Sequence, residues 1–359
     1  MEPFRRSVAS VGRVAALSAA LLALLLATAA CGRDGSAEPT ATTTATGTVT
    51  TDTGTAANAT PAATPVDTRT VHLAGGTVEV PGEPQRVVVL QSFILPHVLS
   101  MGIEPIAIGL SDVTVDPNEI LPPWLDASVP ADVTTFSERE LDVELIASLD
   151  PDLIVAFRAT DGIDQLRQVA PVAVVDRIAL EWRELTEGVA EIFGEQDRFE
   201  QFMADYEARV ARFRQETAPE LGDRTVSAFR VRGPDKLRIE ALDSFPGQIL
   251  AAAGVARPEA QDREGDTGFG YLEVSTERFA EADAALMFAI TYDRRPQTKD
   301  DLRALSQTPI WQALRGVQVG QVFEVDGATW FGGHPLAAIA LLNDLAAAVS
   351  GDLPPYKTE

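Results

Sequence analysis

The stretch at residues 195–217 constrains the fold most, because it has the pattern of one long amphipathic helix. Its apolar residues follow one another at steps of 3, 1, 3, 4 and 3, the spacing of a helix with one buried face. These residues are Phe199, Phe202, Met203, Tyr206, Val210 and Phe213. Such a helix spans roughly 30 Å, and strands alternate with helices on both sides of it. The sequence therefore predicts two lobes, at residues 68–194 and 218–353, joined by one helix at residues 195–217.

Both lobes are predicted to be α/β. The β-branched run at residues 86–91 and the run at residues 152–157 are typical of strands that are buried on both faces. Helical patterns separate such runs, and a repeated β-α-β order favours a parallel sheet flanked by helices. We therefore predict two Rossmann-like lobes joined by a single long α-helix, with a disordered tether before them.

The first 67 residues have the composition of export and tether segments. Arg5, Arg6 and Arg13 precede an apolar run and small residues, which predicts a signal peptide at residues 1–30. Cys31 follows Thr-Ala-Ala, which resembles the lipidation box of bacterial lipoproteins, although ordinary cleavage that leaves a soluble protein stays open. The Thr, Ala, Gly and Pro of residues 31–67 predict a disordered tether. We expect a secreted protein that a lipid holds at the outer face of the cytoplasmic membrane.

The composition excludes several classes of function. The 53 acidic and 29 basic residues give a net charge of −24, which repels nucleic acid and anionic lipid. The single cysteine rules out an internal disulfide and a cysteine-based zinc site. No P-loop, HExxH or GxSxG pattern occurs, so we expect no catalytic residues, no metal site and no cofactor. His97 and His334 are predicted to be packing residues, as are Trp182 and Trp311.

Part of the first half recurs in the second. Residues 141–157 (LDVELIASLDPDLIVAF) align without a gap to residues 274–290 (VSTERFAEADAALMFAI) and agree at five positions, one of which pairs Glu144 with Glu277. Both glutamates fall in the predicted first turn of a helix, where the macrodipole alone favours a carboxylate. Their equivalence also suggests a second interpretation, in which each lobe presents one acidic side chain to a partner.

Residues just after predicted strands are the candidates for ligand contact, because ligands bind beyond the carboxyl ends of strands in α/β lobes. Arginine can make paired hydrogen bonds to oxygen-rich ligands, and aromatic rings add contact area. The candidates are Phe93, Arg158, Arg230, Arg232, Tyr271, Arg294 and Trp330.

The body of the chain resembles the iron-siderophore and cobalamin branch of ABC-transporter substrate-binding lipoproteins. The resemblance rests on an ordered set of stretches, among them PQRVVVL, MGIEPIAIG, LDVELIASLDPDLIVAF, GYLEVSTERFAEADAALMF and WFGGHPLAAIALLNDL. It implies that a ligand sits between two lobes and that a glutamate of each lobe engages arginines of the membrane permease. Carried over to this sequence, those glutamates are Glu144 and Glu277.

The resemblance leaves the ligand open. It implies a ferric siderophore, with iron already chelated, and cobalamin or haem as the alternative in the same fold. A rival class is a secreted metal-dependent hydrolase or chelatase built on His97 and His334. We expect a monomer that binds a small chelate and the permease and that has no nucleic-acid partner.

Overall fold

The structure is a computed structural model that describes residues 67–73, 76–111, 121–125, 127, 129–176, 179–233, 236–266, 268–292 and 296–357. The signal peptide, Cys31, nearly all of the tether and Arg294 lie outside the described residues. The described residues belong to one unit that spans residues 62–359. None of the helices in these ranges has the length and hydrophobicity that a bilayer crossing requires.

The first lobe contains a five-stranded parallel sheet. A hairpin of β1 (Thr68–Leu73) and β2 (Gly76–Pro81) precedes it. The sheet has β3 (Val87–Val89), β4 (Ala107–Leu110), β5 (Thr134–Ser137), β6 (Leu153–Phe157) and β7 (Val172–Val175), in the order β5-β4-β3-β6-β7. The helices are α1 (Leu95–Ser100), α2 (Val143–Ser148), α3 (Ile163–Leu166) and α4 (Trp182–Phe193). Strands β3, β4 and β7 are buried throughout, as a sheet with helices on both faces requires.

The predicted connecting helix is confirmed as α5 (Gln196–Glu216), with Glu195 and Thr217 as its caps. It is unbroken over 21 residues, and the short α6 (Ala218–Leu221) follows. All six apolar residues of the predicted stripe are buried or half-buried. Phe199 and Phe202 pack against the core of the first lobe, whereas Tyr206 and Phe213 belong to the core of the second. The helix therefore has one end in each core.

The second lobe contains a mixed sheet of five strands. They are β8 (Val226–Val231), β9 (Lys236–Glu240), β10 (Tyr271–Ser275), β11 (Leu286–Thr291) and β12 (Val322–Asp326), in the order β10-β9-β8-β11-β12. The helices are α7 (Phe245–Ala252), α8 (Pro296–Ser306), α9 (Pro309–Gln312), α10 (Arg315–Gln318), α11 (Gly327–Trp330) and α12 (Pro335–Ser350). Strand β9 is antiparallel to both neighbours, while β11 is parallel to β8 and β12.

The two sheets share one spatial order, with the third, second, first, fourth and fifth strands side by side. This order matches the first five strands of the Rossmann order 3-2-1-4-5-6, so the predicted α/β fold with two Rossmann-like lobes is confirmed. The repeat seen in the sequence is looser than predicted. Its first copy forms α2, but the second forms a 3-10 helix at Thr276–Ala282, and β9 runs opposite to its counterpart β4.

Trp330 lies in the core of the second lobe, which corrects its prediction as a ligand contact. Its side chain is fully buried, and its ring stacks on Phe288 with 4.4 Å between centroids. Its indole Nε1 donates a hydrogen bond to Asp344 Oδ2 at 2.9 Å. The ring has no surface left for a ligand. The prediction of Trp182 and Trp311 as core residues is confirmed, because both are buried.

The lobes also touch directly, through two buried histidines. The ring of His97 on α1 lies 5.0 Å from that of His334, which precedes α12. Leu336 N–H donates to His334 Nδ1 at 3.1 Å, so this nitrogen carries no proton and Nε2 does. Nε2 faces the Ser100 hydroxyl at 3.1 Å, and Trp124 stacks on the same ring. His97 and His334 are thus packing residues, as predicted.

Trp330→Ala tests the core assignment. Removing a buried indole leaves a cavity, so the free energy of unfolding should fall by about 3–5 kcal/mol. Urea unfolding followed by circular dichroism measures the change. Val319→Ala is the control, because Val319 is 58% exposed and its loss should cost far less. Equal stability of Trp330→Ala and the wild type would contradict the core assignment.

Acid should destabilise the contact between the lobes. Burial lowers the pKa of His97 to about 3, and burial together with His97 lowers the pKa of His334 well below its usual value. Because the unfolded chain binds these protons first, stability is complete above pH 6.5 and declines below it. Between pH 7.5 and 5.5, His97 alone should cost about 1.4 kcal/mol of unfolding free energy.

The variant His97→Asn keeps a donor for Thr186 and removes the titrating ring. Urea unfolding at both pH values should show a loss that is smaller than that of the wild type by about the same 1.4 kcal/mol. Identical pH dependence of the two proteins would show that His97 is not held neutral in the folded state.

Candidate ligand-binding cleft

Both sheets have a crevice where ligands of α/β lobes bind. The strand order reverses between β3 and β6 in the first lobe, and between β8 and β11 in the second. Ligands bind outside the carboxyl ends of strands at such reversals. The residues that follow these four strands include Phe93, Arg158, Arg232 and Tyr292. The topology therefore brings Phe93 and Arg158 to one edge of the first sheet, and Arg232 and Tyr292 to one edge of the second.

The first lobe presents an exposed ring on a loop that hydrogen bonds hold in place. Phe93 is 37% exposed and meets Phe157 edge to face, with 5.5 Å between centroids. Gln91 Oε1 accepts from Phe157 N at 2.7 Å, and Glu138 Oε2 accepts from both N and Oγ of Ser92. The sequence pattern singled out Phe93 but not the supporting residues, whose role depends on contacts more than 45 residues away.

Arg158 is the cation on this side of the cleft. It directly follows β6, its backbone N–H donates to Val175 O at 2.9 Å, and its side chain is exposed. Among the described residues, no ion pair involves this side chain. Its guanidinium is therefore available to an anionic group.

The second lobe presents a stack of arginines and aromatic rings. The Arg230 guanidinium lies 4.4 Å from the centroid of Phe331 and 5.5 Å from that of Tyr271. The Arg238 guanidinium lies 4.3 Å from the centroid of the same Tyr271 ring. Arg230 is paired with Arg238, and Tyr271 with Glu240, across adjacent strands, so these four side chains share one face of the sheet. We call Arg230, Arg238, Tyr271 and Phe331 the arginine–aromatic stack.

A buried carboxylate lies beneath the arginine–aromatic stack. Arg230 Nε donates to Glu240 Oε1 at 2.6 Å, and Arg257 Nη2 donates to the Glu240 carbonyl. Burial raises the pKa of Glu240, and the charge of Arg230 offsets part of that effect. Burial also lowers the pKa of Arg257 to about 10. The sequence analysis did not single out Glu240, because its pairing with Arg230 depends on how β8 and β9 lie side by side.

Arg232 follows the end of β8 and is exposed, and its backbone N–H donates to Lys236 O at 3.0 Å in the hairpin. Hydrogen bonds also bridge the two lobes beside Tyr271. Gln248 Nε2 on α7 donates to Leu180 O at 2.8 Å, and Trp182 Nε1 donates to Gln248 Oε1 at 3.2 Å. Gly270, next to Tyr271, also packs against Leu180. The start of α4 is thereby tied to the second lobe beside the stack.

Glu144 and Glu277 lie at matching edges of the two sheets. Glu144 is exposed in the first turn of α2, where Asp142 Oδ1 accepts from Leu145 N at 2.8 Å. Glu277 is exposed in the 3-10 helix that follows β10, and a hydrogen bond from Ser275 lowers its pKa. The 3-10 helix begins directly after β10 and α2 begins six residues after the end of β5, so each helix follows the carboxyl end of the outermost strand of its sheet.

In the described ranges, no three His, Cys, Asp or Glu side chains lie close enough together to hold a metal ion. His97 and His334, the pair on which a hydrolase or chelatase would be built, are buried in the contact between the lobes. His97 Nδ1 lies 3.1 Å from the Thr186 hydroxyl, and His334 bonds Ser100 through Nε2 and Leu336 N–H through Nδ1.

Comparison with known proteins identifies the family. Residues 87–329 match the periplasmic binding protein family. The "Probable siderophore-binding lipoprotein YfiY" of Bacillus subtilis is 31% identical over 293 residues, which cover 77% of this chain and 86% of the relative. The Fe(3+)-citrate-binding protein YfmC of the same organism is 26% identical over 270 residues, which cover 74% and 80%.

Solved structures share the fold. Staphylococcus aureus SirA complexed with staphyloferrin B matches with a TM-score of 0.63 and 23% identity, over 79% of this chain and 98% of SirA. Unliganded FhuD2 from the same organism matches with a TM-score of 0.62 and 23% identity, over 79% and 98%. With two lobes of like strand order, one connecting helix and this match over most of its length, the chain belongs to the periplasmic binding protein family.

Proposed function

We propose that this protein is an extracytoplasmic solute-binding protein of an ABC importer, and that it captures a ferric siderophore between its lobes. The arginine–aromatic stack of the second lobe carries the proposal. Guanidinium groups suit the carboxylate, catecholate or hydroxamate oxygens of a chelate, and rings add contact area. The names of the relatives support a siderophore. Iron arrives already chelated, so the protein supplies no ligands to the metal.

Residues of both lobes contact the chelate in this proposal. Phe93 and Arg158 act from the first lobe, and Arg230, Arg232 and Tyr271 act from the second. Arg294 is proposed from its sequence position alone, two residues after Tyr292 at the end of β11. The protein works as a monomer and has no catalytic residues. Cys31 carries the lipid, and the tether lets the lobes reach the permease over roughly 30 Å.

A titration of the purified protein with candidate ligands tests the proposal. Ferric siderophores of the hydroxamate, catecholate and carboxylate classes, cobalamin and haem are added while tryptophan fluorescence is followed. We expect saturable quenching by at least one ferric siderophore, because Trp182 belongs to the hydrogen-bonded bridge between the lobes. Iron-free siderophores serve as the control and should bind more weakly. A response to cobalamin or haem alone would assign the alternative ligand, and no response at all would overturn the proposal.

The permease is proposed to recognise Glu144 and Glu277. Exposed ion pairs add little affinity singly, so the two carboxylates act mainly on the registry and rate of docking. Arg278, beside Glu277, is bound to Glu281 at 2.6 and 2.8 Å, which leaves Glu277 available to a partner.

Glu144→Arg combined with Glu277→Arg should abolish uptake of the radiolabelled ferric siderophore in cells and leave its Kd unchanged, because the cleft is intact. Glu200→Arg combined with Glu207→Arg makes the same change of charge on exposed positions of α5 and should leave uptake near the wild-type rate. Uptake that survives the first pair, or is lost equally with the second, would remove the docking assignment.

A further inference from the structure

A small network of hydrogen bonds closes the turn that follows β6, at the point where the strand order of the first sheet reverses. The backbone bond from Leu90 N–H to Val155 O, at 3.0 Å, is followed by a bond to a side chain. Gln91 Oε1 accepts from Phe157 N–H at 2.7 Å, and Gln91 Nε2 donates to Thr160 Oγ1 at 2.8 Å. Thr160 Oγ1 in turn donates to Phe157 O at 2.6 Å. We call Gln91, Phe157 and Thr160 the loop clamp.

A glutamine at position 91 satisfies every group in the loop clamp. Because the Phe157 N–H can only donate, the atom that faces it is the amide oxygen, and the amide NH2 group then faces Thr160. The Thr160 hydroxyl accepts that bond and keeps its own hydrogen for Phe157 O. Glutamate would supply no donor for Thr160, and asparagine is one methylene shorter. The loop clamp therefore depends on the side chain of Gln91 at both ends of its amide.

The loop clamp supports the two side chains of the first lobe that are proposed to contact the ligand. Arg158 is exposed and lies within the closed turn, between Phe157 and Thr160. Phe93 is 37% exposed, and its ring meets that of Phe157 edge to face with 5.5 Å between centroids. The positions of both exposed side chains thus follow from the position of Phe157, which Gln91 holds at its backbone N–H.

We infer that Gln91 is a positioning residue for ligand binding, which orders the turn at residues 157–160 before the ligand arrives. The inference rests on the proposed function. Side chains that become ordered only on binding reduce affinity, and a binding-competent turn that is populated part of the time reduces it by that fraction. With the loop clamp intact, this ordering has occurred on folding. The effect is one of shape, so it extends to every chelate that the protein binds, whatever the charge of the chelate.

Substitutions break the loop clamp at separate points. Thr160→Val removes the hydroxyl and Thr160→Ser keeps it, whereas Gln91→Met removes both amide bonds and keeps the length of the side chain. Gln85→Leu is the matched control, because Gln85 precedes β3 at the opposite edge of the sheet, where its Nε2 donates to Glu83 O at 3.2 Å. Val87→Ala is the control for lost stability, because Val87 is a buried residue at the start of β3.

The first measurement needs no ligand. Hydrogen–deuterium exchange is followed by mass spectrometry on peptides that cover residues 153–163 of the purified protein and its variants. Gln91→Met should raise exchange of the Phe157 amide about 3- to 10-fold, the range of one hydrogen bond, and Thr160→Val should raise exchange of the turn by a smaller factor. Thr160→Ser and Gln85→Leu should leave exchange near that of the wild type. Unchanged exchange in Gln91→Met would overturn the inference and leave the proposed function standing.

The second measurement is of binding, with ferric citrate, a ferric trihydroxamate and a ferric tris-catecholate as probes and stopped-flow fluorescence for the rates. For each probe that the wild type binds, Gln91→Met should raise Kd about 5- to 100-fold, the cost of ordering two side chains, and mainly through slower association. Adding Thr160→Val should cause no further loss. Thr160→Ser, Gln85→Leu and Val87→Ala should stay within about threefold of the wild type, although Val87→Ala lowers the melting temperature.

Other binding results overturn the inference. They are an unchanged Kd in Gln91→Met despite faster exchange, a loss confined to the dissociation rate, or full additivity of Gln91→Met and Thr160→Val. A loss in Val87→Ala as large as that in Gln91→Met would also overturn it, because affinity would then follow stability alone, as a purely structural role predicts. These outcomes leave the proposed function standing, and only a wild type that binds none of the ferric chelates would overturn both.

Discussion

Helix α5 packs into two hydrophobic cores at once, and this packing fixes the relation between the lobes. Phe199 and Phe202 meet the core of the first lobe, and Tyr206 and Phe213 belong to that of the second. An unbroken helix of 21 residues cannot bend sharply without losing backbone hydrogen bonds. The separation of the two sheets, and so the space available between them, follows from this one element.

Direct contacts between the lobes add to what α5 imposes. His334 is surrounded by His97, Ser100 and Trp124 of the first lobe and by Phe202 of α5. Trp124 also donates from Nε1 to Ala328 O at 3.0 Å, so the first lobe reaches the backbone of the second. Because these contacts are buried, wide separation of the lobes would expose neutral imidazoles and aromatic surface. The architecture favours a cleft of nearly constant width.

Charge is distributed so that one acidic protein offers two kinds of surface. The net charge of −24 keeps the exterior negative, and Glu144 and Glu277 are exposed on it at the carboxyl edges of the sheets. The arginines of the second lobe are held against rings and a buried carboxylate, where screening is weak. A local cationic stack can therefore attract an anion in spite of the overall field.

The sequence by itself determined the elements whose pattern is local. The stripe of α5 and the buried strands β3 and β6 follow from residues that are close to one another in the sequence. Tertiary structure alone decided the edge strands β5 and β10, the 3-10 form around Glu277, the burial of Trp330 and the pairing of Arg230 with Glu240. Those outcomes depend on neighbours that are distant in sequence, and a side chain's burial or partner is set by what packs against it after folding, which no local pattern records.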